Sequence, residues 1–323
     1  MTEISFPSPT TLAIPAFVAL VALEWWAVKT HRATGRYTTI DSITSMTMGI
    51  GNVVSGVLLG FISWAVLDFA WGLRVTELPN NWWSVLAAFL VYDFVYYWKH
   101  RLMHRSRWFW ANHVVHHSST HYNLTTALRQ PWTGELTGLV ILGAPMCLIG
   151  WHPAVVIFVG GLNLLYQFWI HTEAIGRMPR WFEYIFNTPS HHRVHHARNP
   201  RYLDANYAGT LIIWDRMFGS FIPELDEDRP DYGLVKNLES HNPIWVSFHE
   251  YVAIGRDFAR DGLKPQRWIA RLTMPPGWSP DGDHNDSAAI RAAWLAEHPD
   301  ALGTPGFPIP KNKTDGDMIH GET

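Results

Sequence analysis

The run from about Ile43 to Trp71 carries one charged side chain, Asp68. It exceeds the roughly 20 apolar residues that a helix needs to cross a bilayer. A chain holding such a run has few ways to hide it in water. Four more apolar stretches accompany it: about Leu12 to Val28, broken only by Glu24, then Trp82 to Trp98, Leu136 to Gly150 and Pro153 to Ile170. The last two are joined by Gly-Trp-His-Pro, a joint short enough to predict a helical hairpin. The run at 43–71 is readable as one helix or as two. The first stretch has no basic residues before it and no clear cleavage site after it, which reads as a retained helix rather than a signal peptide. Composition agrees. Charged residues make up 16% of the chain, hydrophobic ones 47%, and there are 18 tryptophans, of which the pairs Trp25-Trp26 and Trp82-Trp83 read as interfacial anchors. The mean hydropathy of -0.05 averages these spans with a polar C-terminal part.

Basic residues orient the spans. Lys29, Arg32 and Arg36 follow the first, Lys99, Arg101, Arg105 and Arg107 follow the third, and Arg177 and Arg180 follow the hairpin. Alternating crossings put all of them on one side, the cytoplasm. The expected fold is an all-α, polytopic membrane helical bundle of about four or five spans with a cytoplasmic helical cap. The expected divisions are N-terminal spans over 1–80, a catalytic region over 81–224 and a cytoplasmic C-terminal extension over 225–323. From about Asn199 onward the chain reads as soluble. Its last 40 or so residues read as a weakly ordered tail with one short helix near Ala288 to Glu297. A net charge of -3 gives no basic face for nucleic acid. The single cysteine, Cys147, excludes a thiolate-built metal site and reads as a core residue.

Histidine carries the chemistry. There are 18, and 12 of them fall between His100 and His196. His100 and His104 are four apart at the end of an apolar helix, which stacks them on one face. His113 precedes His116 and His117 by three and four residues, and His192 stands in the same relation to His195 and His196. His171 closes the fifth apolar run. One ordinary metal site uses three or four imidazoles, so nine predict two ions. Imidazole suits iron, zinc, copper and nickel alike, and ligand type alone names none of them.

These boxes, HX3H, HX2HH and a second HX2HH among membrane spans, resemble the fatty acid hydroxylase and sterol desaturase superfamily. The runs HHSSTHYNLTTALRQ, YQFWIHTE, NTPSHHRVHHARNPRYLDANYAG and IIWDRMFGSF, within about Tyr92 to Glu224, resemble its alkylglycerol monooxygenase branch in particular. The resemblance implies a di-iron centre (two Fe ions), O2 as co-substrate and a lipid substrate drawn from the bilayer. It also implies an external reductant, tetrahydrobiopterin for an ether-lipid substrate or a small electron carrier for a sterol. No cytochrome, flavin or ferredoxin motif is present in the chain to supply the electrons.

Other residues group around the boxes. Asp93, two turns before His100 in an apolar span, is a candidate to hold a ligand ring by its second nitrogen. His191, Asp204 and Asn206 are further candidates for that supporting role. Asn123, Arg129, Gln130 and Glu173 are candidates to bind a headgroup or reductant. His121 breaks the box spacing, and His152 should lie at the opposite membrane face. Trp214, Asp215 and Arg216 read as residues that fold the cap. A histidine-rich metal transporter would place its ligands near the bilayer midplane, whereas these flank the spans. A zinc hydrolase would need a motif such as HExxH, which is absent. The expected reaction is O2-dependent hydroxylation or desaturation of a lipid, with a sterol C-5 desaturase-like activity as the alternative.

Overall fold

The computed structural model describes residues 6–308. Among them there is no strand, only an isolated bridge between Ala197 and Tyr232. A single turn, Pro9–Leu12, leads into α1 (Ile14–Lys29) and then α2 (Thr39–Gly72). At 34 residues α2 is about 51 Å long, against roughly 30 Å of hydrocarbon. It is the one helix among the described residues long and apolar enough to cross a membrane. The ambiguity over residues 43–71 resolves to one continuous helix. α3 (Trp82–Arg105) starts on Asn81, whose side chain accepts from Ser84 N at 3.0 Å. Extended backbone at Ser106 (φ -130, ψ 125) ends it, and α4 (Arg107–His117) follows at once.

The predicted hairpin has an irregular first arm. Its second arm is α5 (Pro153–Phe168), opened by Pro153 and capped by His152, whose Nδ1 accepts from Ala154 N. Its first arm is two 3-10 segments, Gly134–Leu136 and Leu139–Gly143, followed by the short helix Ala144–Ile149. The physical reason is local. Gly138 sits at φ +83, and Pro145 removes an amide donor in the middle of the run. The loop after α2 meets the turn before α5, with Val75 N donating to Leu148 O and Leu78 N to Gly150 O. Both joints therefore share one end of the bundle, and His152 packs there against Trp71.

An apolar core sits between α2, α3 and α5, with Leu67, Ala88, Met146, Cys147, Val155 and Val159 buried together. The outward faces carry large apolar side chains as well. Val18 and Leu23 on α1, Val57, Phe61 and Phe69 on α2, and Trp82 and Trp83 at the head of α3 are all exposed. That is far more contiguous apolar surface than a water-soluble monomer shows. Close approach to α2 is bought with glycine: a Cβ on Gly51 would stand 2.2 Å from the Trp132 indole nitrogen, which donates to Met48 O at 3.1 Å.

The remaining helices of eight residues or more are α6 (Pro189–His196), α7 (Pro243–Asp261), α8 (Pro265–Thr273) and α9 (Ser287–Glu297). The C-terminal part packs on the cap as far as residue 308. Phe307 is buried and stacks on Trp294 at 5.0 Å. Arg201 donates to Thr304 Oγ1 and Pro305 O, and Arg291 to Arg201 O and Leu203 O. Aromatic stacking and two arginines fasten a segment whose Pro, Gly and Asp content reads as loose. Residues 309–323, with His320, lie outside the described residues.

Candidate metal centre

Four separate elements deliver nine histidines to one place. α3 brings His100 and His104, α4 brings His113, His116 and His117, the residues after α5 bring His171, and α6 brings His192, His195 and His196. All nine are buried. Their donors form two groups, His100, His104, His113, His117 and His195 in one, and His116, His171, His192 and His196 in the other. Within each group the ligand atoms lie within 4.8 Å of one another. The groups adjoin, with the rings of His117 and His196 stacked at 4.4 Å.

Backbone carbonyls orient the rings. His100 Nδ1 bonds Tyr207 O at 2.7 Å, His171 Nδ1 bonds Gln167 O at 2.7 Å, His195 Nδ1 bonds Ala205 O at 2.9 Å and His116 Nδ1 bonds Arg129 O at 3.3 Å. A carbonyl only accepts, so each contact puts the proton on Nδ1 and leaves an Nε2 lone pair facing inward. The Nε2 atoms of the two groups then crowd together: His116 to His171 at 3.1 Å, His100 to His113 at 2.8 Å, His113 to His117 at 3.1 Å and His171 to His192 at 3.0 Å. In the first pair both rings have Nδ1 on a carbonyl, so two lone pairs face each other and repel unless a cation lies between them. Ligands about 2.0–2.1 Å from a first-row ion and at right angles stand about 2.9 Å apart. The observed separations match that figure. The Nε2 atoms of His104, His195 and His196 are buried without a hydrogen-bond partner in the protein, as open donors would be. The donor set therefore fits metal ions.

Electrostatics agree. Burial, then neighbouring histidines, hold His113, His117, His192, His195 and His196 well below the ordinary imidazole range. Burial brings His116 down to about 4. Neutral rings at pH 7 are the form that binds metal.

Supporting residues act differently from expectation. Asp93 touches no imidazole. It accepts from Thr210 N at 2.8 Å, Leu211 N at 3.0 Å, Trp214 Nε1 at 2.9 Å and Asn163 Nδ2 at 2.6 Å. The reason is position: Asp93 is two turns from His100, and the chain after Tyr207 fills the space beside it. Asp215 accepts from Tyr207 N and Ala208 N, both at 2.8 Å. These two acids thus fasten the loop whose Tyr207 carbonyl orients His100. Asn206, at φ +55, likewise reaches no ring; it donates to His191 O and Ile222 O and accepts from Ile222 N. Asp204 does face one, with Oδ1 3.6 Å from His104 Nδ1. His191 is buried outside both groups, against Phe221 and 4.0 Å from Glu183. His121 belongs to neither group.

The four candidates for a headgroup or reductant have other partners. Asn123 caps the turn Leu124–Ala127, and Gln130 donates to Ala127 O. Glu173 accepts from Tyr232. Arg129 is buried, donating to Asp41 Oδ1 at 2.7 Å, Ser118 Oγ at 3.0 Å and Ser45 Oγ at 3.2 Å. Sequence reasoning passed over Glu24, which accepts from Tyr37, Thr172 and Leu124 N and so ties α1 to the residue after His171. A lone acid in an apolar run, the signal that singled out Asp93, would have found it.

Residues 85–220 match the family model described as Fatty acid hydroxylase. Alkylglycerol monooxygenase of Xenopus tropicalis is 41% identical over 244 residues, covering 74% of this chain and 53% of that protein. The protein of the same name from Homo sapiens is 39% identical, covering 85% of this chain and 61% of its own length. This chain therefore spans only a little over half of these relatives. Lathosterol oxidase of Rattus norvegicus is more distant, 28% identical over 51% of this chain and 55% of that protein. No solved structure matches. The matched domain contains all nine histidines of the two groups, so residues 85–220 form a fatty acid hydroxylase family domain in a chain that is similar over most of its length to the alkylglycerol monooxygenases.

Proposed function

We propose that this chain is an integral membrane, O2-dependent lipid hydroxylase in which each histidine group holds one iron. The observation that carries the reading is the division of nine buried imidazoles into two adjoining groups inside a fatty acid hydroxylase domain. The names of its relatives favour an alkylglycerol ether lipid as substrate. The weaker similarity to lathosterol oxidase is the support for the alternative, a sterol desaturase-like activity.

His100, His104, His113, His117 and His195 would hold one ion, and His116, His171, His192 and His196 the other. Bound iron would supply the activation of O2 that lets an unactivated C–H bond be hydroxylated. The protein's part is to bring the nine rings together, to fix the Nδ1 protons of His100, His116, His171 and His195 on carbonyls and to exclude bulk water by burial. The lipid would approach from the apolar outer faces of α1, α2 and α3, with the histidine end toward the cytoplasm. Electrons would come from outside the chain, from tetrahydrobiopterin or a small electron carrier. Residues 1–80, 81–224 and 225–323 would serve as membrane anchor, catalytic region and C-terminal extension.

The test is metal analysis by mass spectrometry on protein purified in detergent from iron-replete cells, paired with an ether-lipid oxidation assay under O2. About two irons per chain, reduced together with activity in His195→Ala, is the expected result. No iron after anaerobic reconstitution would refute the reading. Full iron with turnover of a sterol and none of an ether lipid would establish the alternative.

A further inference from the structure

α7 carries apolar side chains on both of its faces. Its inward face combines buried Val246 and Ile254 with charge: Glu250 and Asp257 accept from Arg107 at 2.7 and 2.6 Å, and Asp261 pairs with the buried Arg271. Its outward face is apolar. Ile244, Trp245, Phe248 and Val252 are all exposed, Ile244 at 64%. At 3.6 residues per turn these four fall within an arc of roughly 100°. Leu263, which follows the helix, is 92% exposed. Arg256, Arg260 and Lys264 are exposed beside this stripe. Ion pairs and the buried side chains of Val246 and Ile254 hold α7 to the protein, and among the described residues nothing covers the stripe.

We propose that the outward face of α7 is a membrane-contacting surface, lying in the plane of the bilayer at the boundary of headgroups and acyl chains. This rests on the membrane reading above and extends it to a segment that reads as soluble from sequence. Two observations select lipid as the occupant. First, α7 packs on the same turns of α2 that expose an apolar flank. Thr44 Oγ1 bonds His241 O at 3.2 Å and Met48 packs on Val246, while Ile40, Ile43 and Ile50 on the other side of the same turns of α2 stay exposed. Second, an apolar face edged by arginine, lysine and tryptophan is the pattern of a helix that rests on phospholipid, with the cations at phosphate level. α7 also packs on α4, which carries His113, His116 and His117. An in-plane α7 would hold that end of the metal centre at the depth where a lipid's polar and apolar parts meet.

The test uses the full chain in phospholipid nanodiscs. In a Cys147→Ala background, single cysteines are placed by Phe248→Cys, Val252→Cys, Val57→Cys and Glu227→Cys and labelled with an environment-sensitive fluorophore. Val57 lies on the exposed flank of α2 and Glu227 on the surface of the cap. Emission is read with spin-labelled lipid and with aqueous iodide as quenchers. The expected result is loss of about half the emission at 248 and 252 to the lipid quencher, as at 57, with little loss to iodide. Iodide quenching at 248 equal to that at 227, while 57 stays lipid-quenched, would overturn the proposal and leave the membrane reading standing. Protection of 248 from both quenchers would overturn it in favour of a protein partner or a second copy. Failure of lipid quenching at 57 would remove the membrane reading and this proposal with it.

Discussion

Replacing Arg129 with methionine should unfold the histidine end of the molecule before it harms chemistry directly. The Arg129 side chain is 1% exposed and its partner Asp41 2% exposed, so the pair is removed from water. Arg129→Met leaves the Asp41 carboxylate with the Ser119 hydroxyl at 2.8 Å as its remaining side-chain partner. Breaking a buried pair in this way costs about 3–5 kcal/mol, because the surviving charge stays buried without compensation. At roughly 2–4 °C per kcal/mol for a large domain, the apparent unfolding midpoint should fall by about 10 °C. Arg129 also supplies the carbonyl that faces His116 Nδ1, so the metal held by the second group should be lost more readily. The assay is thermal unfolding in detergent followed by tryptophan fluorescence, with iron counted before and after gel filtration. Adding Asp41→Asn removes the stranded charge and should restore at least half the loss. A midpoint within about 2 °C of the parent in Arg129→Met, or a double variant no better than the single, would refute the reasoning. It would return Arg129 to the role of a ligand-binding residue.

Three further outcomes are expected. Ala at His195 or at His196 removes a ligand from a different group, so each variant should lose about one iron per chain and retain the other; loss of both irons in either variant would show a single shared site. Acidification should destabilise the metal-free protein. The buried imidazoles of α4 and α6 have native pKa values below the unfolded value of 6.5, so below that pH the unfolded chain binds more protons and stability falls. Each such histidine should lose about 1.4 kcal/mol by about pH 5.5, and an unfolding midpoint unchanged between about pH 8 and 5.5 would contradict their burial as neutral rings. Gly51→Val places a side chain where its Cβ would stand 2.2 Å from Trp132, and should cost about 1–3 kcal/mol in thermal unfolding. An unchanged midpoint would mean that Trp132 does not rest on α2.

The histidines were legible because their spacing matches the helix period. Residues three and four apart on one helix must share a face, whatever the tertiary fold, so the boxes on α3, α4 and α6 needed no long-range knowledge. The assortment into five and four was not legible. It depends on how α4 turns back at Ser106 and on where His171 emerges from α5, and each group takes rings from three elements. The supporting contacts were hidden for a related reason. Asp93 was singled out correctly as a costly buried acid, but a sequence cannot say that its partners include two backbone amides and an indole more than 100 residues away.

Main-chain oxygen orients four of the nine rings, and the centre's tolerance of change follows from it. Carbonyls of Ala205 and Tyr207 hold His195 and His100, which come from different helices yet belong to one group. Any residue type at 205 or 207 could present that carbonyl, so the contact leaves no mark in the side-chain pattern. What must be kept is the path of the loop, and its path is fixed by Asn206 at φ +55, by Asp215 on the amides of Tyr207 and Ala208, and by Asp93 on those of Thr210 and Leu211. Asp215→Asn would leave one oxygen for two amide donors and put an NH2 group against the other. Each donor stranded in this buried loop should cost about 1–3 kcal/mol. Both His100 and His195 would then lose their alignment together, so the group of five should release its ion while the group of four keeps its own. Equal loss from both groups, or from neither, in a folded Asp215→Asn protein would show that the loop does not act through these two rings.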